Sequence, residues 1–321
     1  MVNLAKINNL TAWRVARTEI ESAILSVLGP IAKERVELQT KTVDEMQFAG
    51  YARRRVNYFV GEWERVSAWL FVPDRKDEMP GIICCHEAVP QGKDEPAGLD
   101  GEPSLALAQH YAELGYVTLA ADCITAGDRV STGLAPYDTK SFYKDNPKMS
   151  AMGKMLSDHM YAMDVMCETK RVDSARLGVV GHGFGAQNAL FLAALDERIQ
   201  SCVASCGFTR FAADKNPGRW ARDNGFVYFP LLREAIKTRD FPFEWEHVLA
   251  LLAPSPTLLL AALNDPELAN TKSCERATQL ASTIYKLLGA PEALTIVTHE
   301  GGRRMTQEVY EAADEWFDRW L

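Results

Sequence analysis

Six short apolar runs constrain the fold of this chain more than any other feature: PGIICCHEA, GYVTLAADC, RLGVVGH, IQSCVASCG, PTLLLAALND and ALTIVTHE. The rhythm begins at Met79, and segments with helical spacing separate the runs. A strand with one wet face alternates apolar and polar residues. These runs are apolar at nearly every position, which predicts strands covered by helices on both faces and therefore a mostly parallel central sheet. A chain of 321 residues, 47% of them hydrophobic, can bury a substantial core, so one large domain over 1–321 with insertions is expected.

The flanking segments read differently. Residues 11 to 36 have helical apolar spacing, and RRRVNYFVGEWERVSAWLFV alternates about a turn at Gly61 and Glu62. The stretch 1–78 is thus expected to hold an N-terminal helix and antiparallel strands. Residues 208–247 interrupt the alternation with Pro, charges and aromatics, and are expected to form a lid-like insertion over the C-terminal edge of the sheet. Trp220, Phe226, Tyr228, Phe229, Phe241, Phe243 and Trp245 are placed either lining that lid or pinning it to the sheet.

Charge and cysteine usage exclude several classes. Lys and Arg number 35 against 43 Asp and Glu, a formal net charge of −8, so the basic footprint that nucleic acid requires is missing. No apolar run is long enough to span a bilayer, and the first residues lack the order of a secretory signal, so a soluble, cytoplasmic protein is expected. Seven Cys without a C-x-x-C pair or a Cys/His zinc spacing give no metal site, and no motif calls for a cofactor. The expected partner is a small molecule, with neither nucleic acid nor membrane; a homo-oligomer stays open.

One stretch carries the chemistry. LGVVGHGFGAQNALFLAALD, from Leu177 to Asp196, reads as a buried strand entering an apolar helix through a sharp glycine turn, the setting of a G-x-S-x-G nucleophile elbow. Its centre is Gly183. GKDEPAG, Gly92 to Gly98, lacks the phosphate-loop pattern, and its Asp94 and Glu95 would repel phosphate, so a rigid turn is expected there. Cys84 and Cys85 lie inside an apolar run and are expected to pack rather than react.

The stretches CCHEAVPQGKDEPAG, GHGFGAQNALFLAALDERI, SCGFTRF, FPFEWEHVLALLAPSPTLLLAALNDPEL and EGGRRM, between Met79 and Leu321, resemble the α/β-hydrolase superfamily in its dienelactone hydrolase and acetyl-xylan-esterase-like branch. The resemblance implies the α/β-hydrolase fold and a nucleophile, acid and base in that order along the chain. Carried over, these positions are Gly183, Asp265 and Arg303. Glycine has no side chain to attack a carbonyl, and a guanidinium stays protonated, so standard serine esterase activity is not expected.

The resemblance also implies an oxyanion hole of backbone amides, those of Phe184 and of a residue near Glu87 or Ala88. Without a His, Asp265 is expected to clamp Arg303 in a charged pair. His182 is a candidate pocket acid or base. His86 and Glu87 follow the first parallel strand and read either as ligand contacts or as loop anchors. Asp128 and Arg129 are candidates on a neighbouring loop, and His299 is expected to be structural. The leading expectation is a recruited non-hydrolytic enzyme, a lyase, cyclase or carbon–carbon bond-forming catalyst acting on a carbonyl or carboxylate compound. The alternatives are a non-catalytic pseudohydrolase that binds or scaffolds, and a carboxylic-ester hydrolase with its nucleophile substituted.

Overall fold

Helical spacing from residue 11 becomes α1 (Leu10–Leu28) in a computed structural model that describes residues 1–31, 37–268 and 271–321. The Asn9 side chain accepts the Ala12 N–H at its start, and Gly29, at φ 90°, ends it just before Pro30. The remainder of that helical reading, 32–36, lies outside the described residues.

Three antiparallel strands follow, β1 (Thr40–Phe48), β2 (Tyr51–Phe59) and β3 (Arg65–Pro73). The expected hairpin is β2–β3, with Phe59 opposite Arg65. Strand β1 was not foreseen, because TKTVDEMQF offers no apolar face to count. It lies exposed at the sheet edge, where charged residues discourage further pairing.

Beyond it, strands alternate with helices: β4 (Met79–Cys85), α2 (Leu107–Leu114), β5 (Val117–Ala121), α3 (Lys140–Asp145), α4 (Ala151–Glu168), β6 (Val172–His182) and α5 (Phe184–Leu195). Then come β7 (Ile199–Ser205), α6 (Arg233–Thr238), α7 (Trp245–Leu252), β8 (Thr257–Ala262), α8 (Thr271–Leu287), β9 (Leu294–His299) and α9 (Gln307–Trp320). The sheet order is β1-β2-β3-β5-β4-β6-β7-β8-β9, parallel from β5 across to β9.

Burial on both faces explains the unbroken apolar runs. Ile82 and Cys84 pack with Tyr111 of α2 and Phe317 of α9, whereas Ile83 and Cys85 point the other way, into the cluster holding Met155 of α4 and Leu190 of α5. Each such side chain contributes about 1.5–3 kcal/mol when fully buried. Burial also pushes the thiols of Cys84 and Cys85 well up, which leaves them as packing groups. Helix α5 is buried all round and needs close approach: a Cβ on Gly185 would lie 2.1 Å from the Cys85 carbonyl oxygen.

Residues 208–247 contain three short 3-10 turns and α6. Phe229, Phe241, Phe243 and Trp245 are buried with Phe191 of α5, while Trp220, Phe226 and Tyr228 border a cleft. Among the described residues no helix is long and apolar enough to cross a membrane. Because the central strands are parallel, the segments following β4, β6, β7, β8 and β9 all emerge at one edge of the sheet.

Candidate active-site cleft

That edge carries a cleft of about 560 Å³. Its floor is the turn from β6 into α5, where Gly183 adopts φ 53° and ψ −115°. Only glycine takes this conformation without strain. Space forbids a side chain as well: a Cβ there would lie 1.6 Å from Glu87 Oε2 and 2.2 Å from Arg303 Nη2. The volume in front of Gly183 is filled by a carboxylate from another loop.

That carboxylate is fully engaged. Glu87 Oε1 accepts the backbone N–H of Phe184 at 2.8 Å and that of Ala88 at 2.7 Å, while Oε2 pairs with Arg303 Nη2 at 2.6 Å. The two amides expected to polarise a ligand carbonyl thus converge on a single oxygen of the protein's own side chain. One of them opens α5, where the helix dipole adds to the attraction for negative charge.

Arg303 bridges two acids. Its Nη1 lies 3.2 Å from Asp265 Oδ2 and 3.4 Å from the Cys206 carbonyl oxygen. Burial works against its charge, but Glu87, Asp265 and Glu267 outweigh it and hold the guanidinium well above its ordinary range. The expected pairing with Asp265 is therefore present, yet the shorter contact is to Glu87. The other Asp265 oxygen accepts the N–H groups of Glu267 and Leu268, which fixes the carboxylate behind the cleft.

The loop bearing Glu87 is anchored from below. His86 Nε2 accepts the Cys123 N–H at 3.0 Å, so Nδ1 carries the proton and donates to the Glu87 carbonyl oxygen at 2.6 Å. Burial lowers the His86 pKa and keeps the ring neutral. His86 does not border the cleft; of the two readings for it, the loop anchor is the one its contacts match. Tyr137, strained at φ 61°, places its hydroxyl 3.2 Å from the Glu87 carbonyl oxygen and 3.1 Å from that of Val89.

His182 does border the cleft, with Nδ1 3.0 Å from Ser205 Oγ. Burial, then the nearby Arg303 charge, depresses its pKa to about 3. It is neutral at physiological pH and a poor proton acceptor. Asp128 does not line the cleft, contrary to its reading as a ligand contact: it pairs with Arg55 and the buried Lys93. Arg129 pairs with Asp158 and Glu64. His299 is buried and also lies off the cleft.

Several residues at the cleft were not singled out from the sequence. Tyr137 joins Phe184, Phe226 and Tyr228 in an aromatic wall, and Arg219 and Arg222 stand at the rim. Glu95, assigned to a rigid turn, is buried on the wall, and its Oε2 accepts the Glu87 N–H at 3.3 Å. Burial, reinforced by the charges of Glu87 and Glu102, raises its pKa to about 7. A hydropathy pattern marks strands and helices but gives no sign that a polar turn folds inward.

Residues 66–218 match the dienelactone hydrolase family. A protein of Bacillus subtilis (strain 168) named as a hydrolase, YtaP, is 26% identical over 257 residues, covering 78% of this chain and 82% of that protein. A glucuronoyl esterase from Solibacter usitatus superposes with a TM-score of 0.77 at 15% identity, over 97% of this chain and 94% of the other. An acetyl xylan esterase from Paenibacillus sp. R4 gives 0.59 at 18% identity, over 98% and 96%. These likenesses give the α/β-hydrolase fold. The family match and the Bacillus relative overturn the expectation of a lyase, cyclase or carbon–carbon bond-forming enzyme, and favour the hydrolase alternative.

Proposed function

We propose that this chain of α/β-hydrolase fold belongs with the dienelactone hydrolase family, whose match spans residues 66–218, and that it is a carboxylic-ester hydrolase whose nucleophile has been substituted, acting on a small-molecule ester. One observation carries the reading: a single carboxylate oxygen sits on both the Phe184 and Ala88 amides, with a guanidinium beside it. That arrangement suits the oxygen of an ester carbonyl and the negative charge it develops under attack. Glu87 is the internal occupant of this oxyanion hole, and an ester enters by displacing it.

Gly183 cannot form an acyl-enzyme and Arg303 cannot remove a proton, so hydrolysis proceeds by direct attack of water. The cleft contributes the polarising amides, the charge of Arg303 and an aromatic wall for the acyl or alcohol group. The 208–247 insertion supplies Trp220, Phe226 and Tyr228 to that wall and acts as its lid.

The test is hydrolysis of p-nitrophenyl acetate by the purified protein before and after treatment with a fluorophosphonate. Turnover that survives the probe is expected, with a higher rate in Glu87→Ala, where the hole stands open. No turnover by either protein, with circular dichroism unchanged, would overturn the hydrolase reading and leave a carboxylate-binding protein.

A further inference from the structure

We infer that Glu95 is the catalytic base that takes the proton from the attacking water, an assignment that rests on the hydrolase reading above. Two consecutive amides give it its place. The Ala88 N–H donates to the oxygen in the carbonyl site, and the Glu87 N–H, one residue earlier, donates to Glu95 Oε2. A second carboxylate is thus tethered one peptide unit from where the ester carbonyl binds.

Glu95 also stands at a junction. Beside the cleft lies a second hollow of about 560 Å³, floored by the loop from Gly98 to Ala106 and by α2, and Glu95 is the residue common to both linings. The carboxylate that takes the proton thus lies between the ester's cleft and a second opening to solvent.

Elimination leads to the same residue. Glu87 is held by two amides and Arg303, Asp265 by Arg303 and two further amides, and Glu267, also on the cleft lining, is an exposed carboxylate 3.9 Å from Arg303 Nε, away from the Glu87–Ala88 amides. His182 is depressed to about 3, far too weak a base at neutral pH. Glu95 has a pKa raised to about 7, close to what general-base catalysis near neutrality favours. The charges acting on it are those of Glu87, from the loop after β4, and Glu102. Asp100, His110 and Glu113 line the second hollow with it, and Arg219, Arg222, Glu267 and Arg303 line the cleft.

The step balances without a further reactant. The water oxygen bonds to the ester carbonyl carbon while its proton passes to the Glu95 carboxylate. The tetrahedral intermediate then expels the alkoxide, which takes that proton and leaves as the alcohol. The carboxylic acid product ionises to solvent, restoring the starting charge state.

The experiment is the pH–rate profile of p-nitrophenyl acetate hydrolysis for wild type, Glu95→Gln and Glu95→Asp, with benzoate binding to a Glu87→Ala background measured in parallel. The wild-type rate is expected to rise with pH through about 7. Glu95→Gln is expected to lose about 100-fold or more and the pH dependence with it, while Glu95→Asp recovers part of the rate. Benzoate binding stays unchanged in Glu95→Gln, which separates a lost base from a collapsed site. A Glu95→Gln enzyme with wild-type rate and profile would overturn the assignment and leave the hydrolase reading standing. Absence of turnover in wild type and Glu87→Ala would overturn both.

Discussion

Two charged clusters lie at the same edge of the sheet and have opposite characters. In one, Lys93 is buried with Asp122: the ammonium lies 2.9 Å from Asp122 Oδ2 and 3.0 Å from Asp128 Oδ2, and Asp122 also accepts the Lys93 and Asp128 amides. In the other, Glu87, Arg303 and Asp265 are also mutually satisfied, but the first two border an open cleft. Every donor around Asp122 is internal and permanent. The donors around Glu87 face a volume that a ligand carboxylate or carbonyl is able to enter. Saturation by itself therefore does not separate a structural ion cluster from a binding site; the cavity beside it does.

Removing one partner from each cluster sharpens the contrast and gives the largest expected effect. Lys93→Met strands Asp122 in the interior without its cation, and such a break costs about 3–5 kcal/mol. Glu87→Ala leaves amides and a guanidinium that water in the cleft reaches, so its cost is expected to stay near about 1 kcal/mol. Urea denaturation of both variants measures the difference. Equal losses would mean that the cleft cluster is as structural as the buried one.

The next effect tests how firmly Glu87 holds the space in front of Gly183. Gly183→Ser must adopt a positive φ, at about 1–3 kcal/mol, and must also push aside Glu87 and Arg303. Glu87→Ala should relieve part of that cost, so a double-mutant cycle is expected to show positive coupling between the two positions. Gly183→Ser with Arg303→His should not restore a serine hydrolase while Glu87 remains. The triple variant with Glu87→Ala should react with a fluorophosphonate at Ser, and labelling of the double variant alone would show that Glu87 yields easily.

These contrasts also explain what was legible in the sequence. Strands β4 to β9 were readable because burial on both faces writes itself into consecutive residues, as in Ile82 to Cys85. The turn at Gly183 and the place of Asp265 beside Arg303 were readable because a glycine after β6 and an Asp after β8 occupy fixed places along the chain. Glu87 was readable as a residue at the mouth, but its partnership with Phe184 joins positions 97 apart and depends on one rotamer. Asp128 was misjudged because its loop does follow a central strand, yet Lys93 and Arg55 turn it away from the cleft. Glu95 was missed because a polar turn with two glycines reads as surface, yet here its carboxylate is buried, packed against Gly101 and holding the Glu87 N–H.

The smallest expected effect runs opposite in sign to the others. Glu95 has a folded pKa of about 7 against 4.5 when free, so the folded state binds more protons than the unfolded state between those values. The stability this contributes is fully present below pH 4.5 and is lost as pH rises through 7. Glu95→Gln carries the uncharged form at every pH while still accepting the Glu87 N–H. Wild type and variant should therefore match near pH 4, and the variant should be more stable by about 1–2 kcal/mol at pH 8, after discounting for screening at a group bordering two open hollows. His182 titrates the other way, its contribution full above 6.5 and lost as pH falls toward about 3, but it is common to both proteins and cancels in the difference. A difference curve flat from pH 4 to 8 would mean that Glu95 ionises as readily folded as unfolded. A rising curve together with lost turnover would identify Glu95 as a carboxylate kept in a costly place for its chemistry, whereas Asp122, which burial also pushes up, is partnered inside the fold by Lys93.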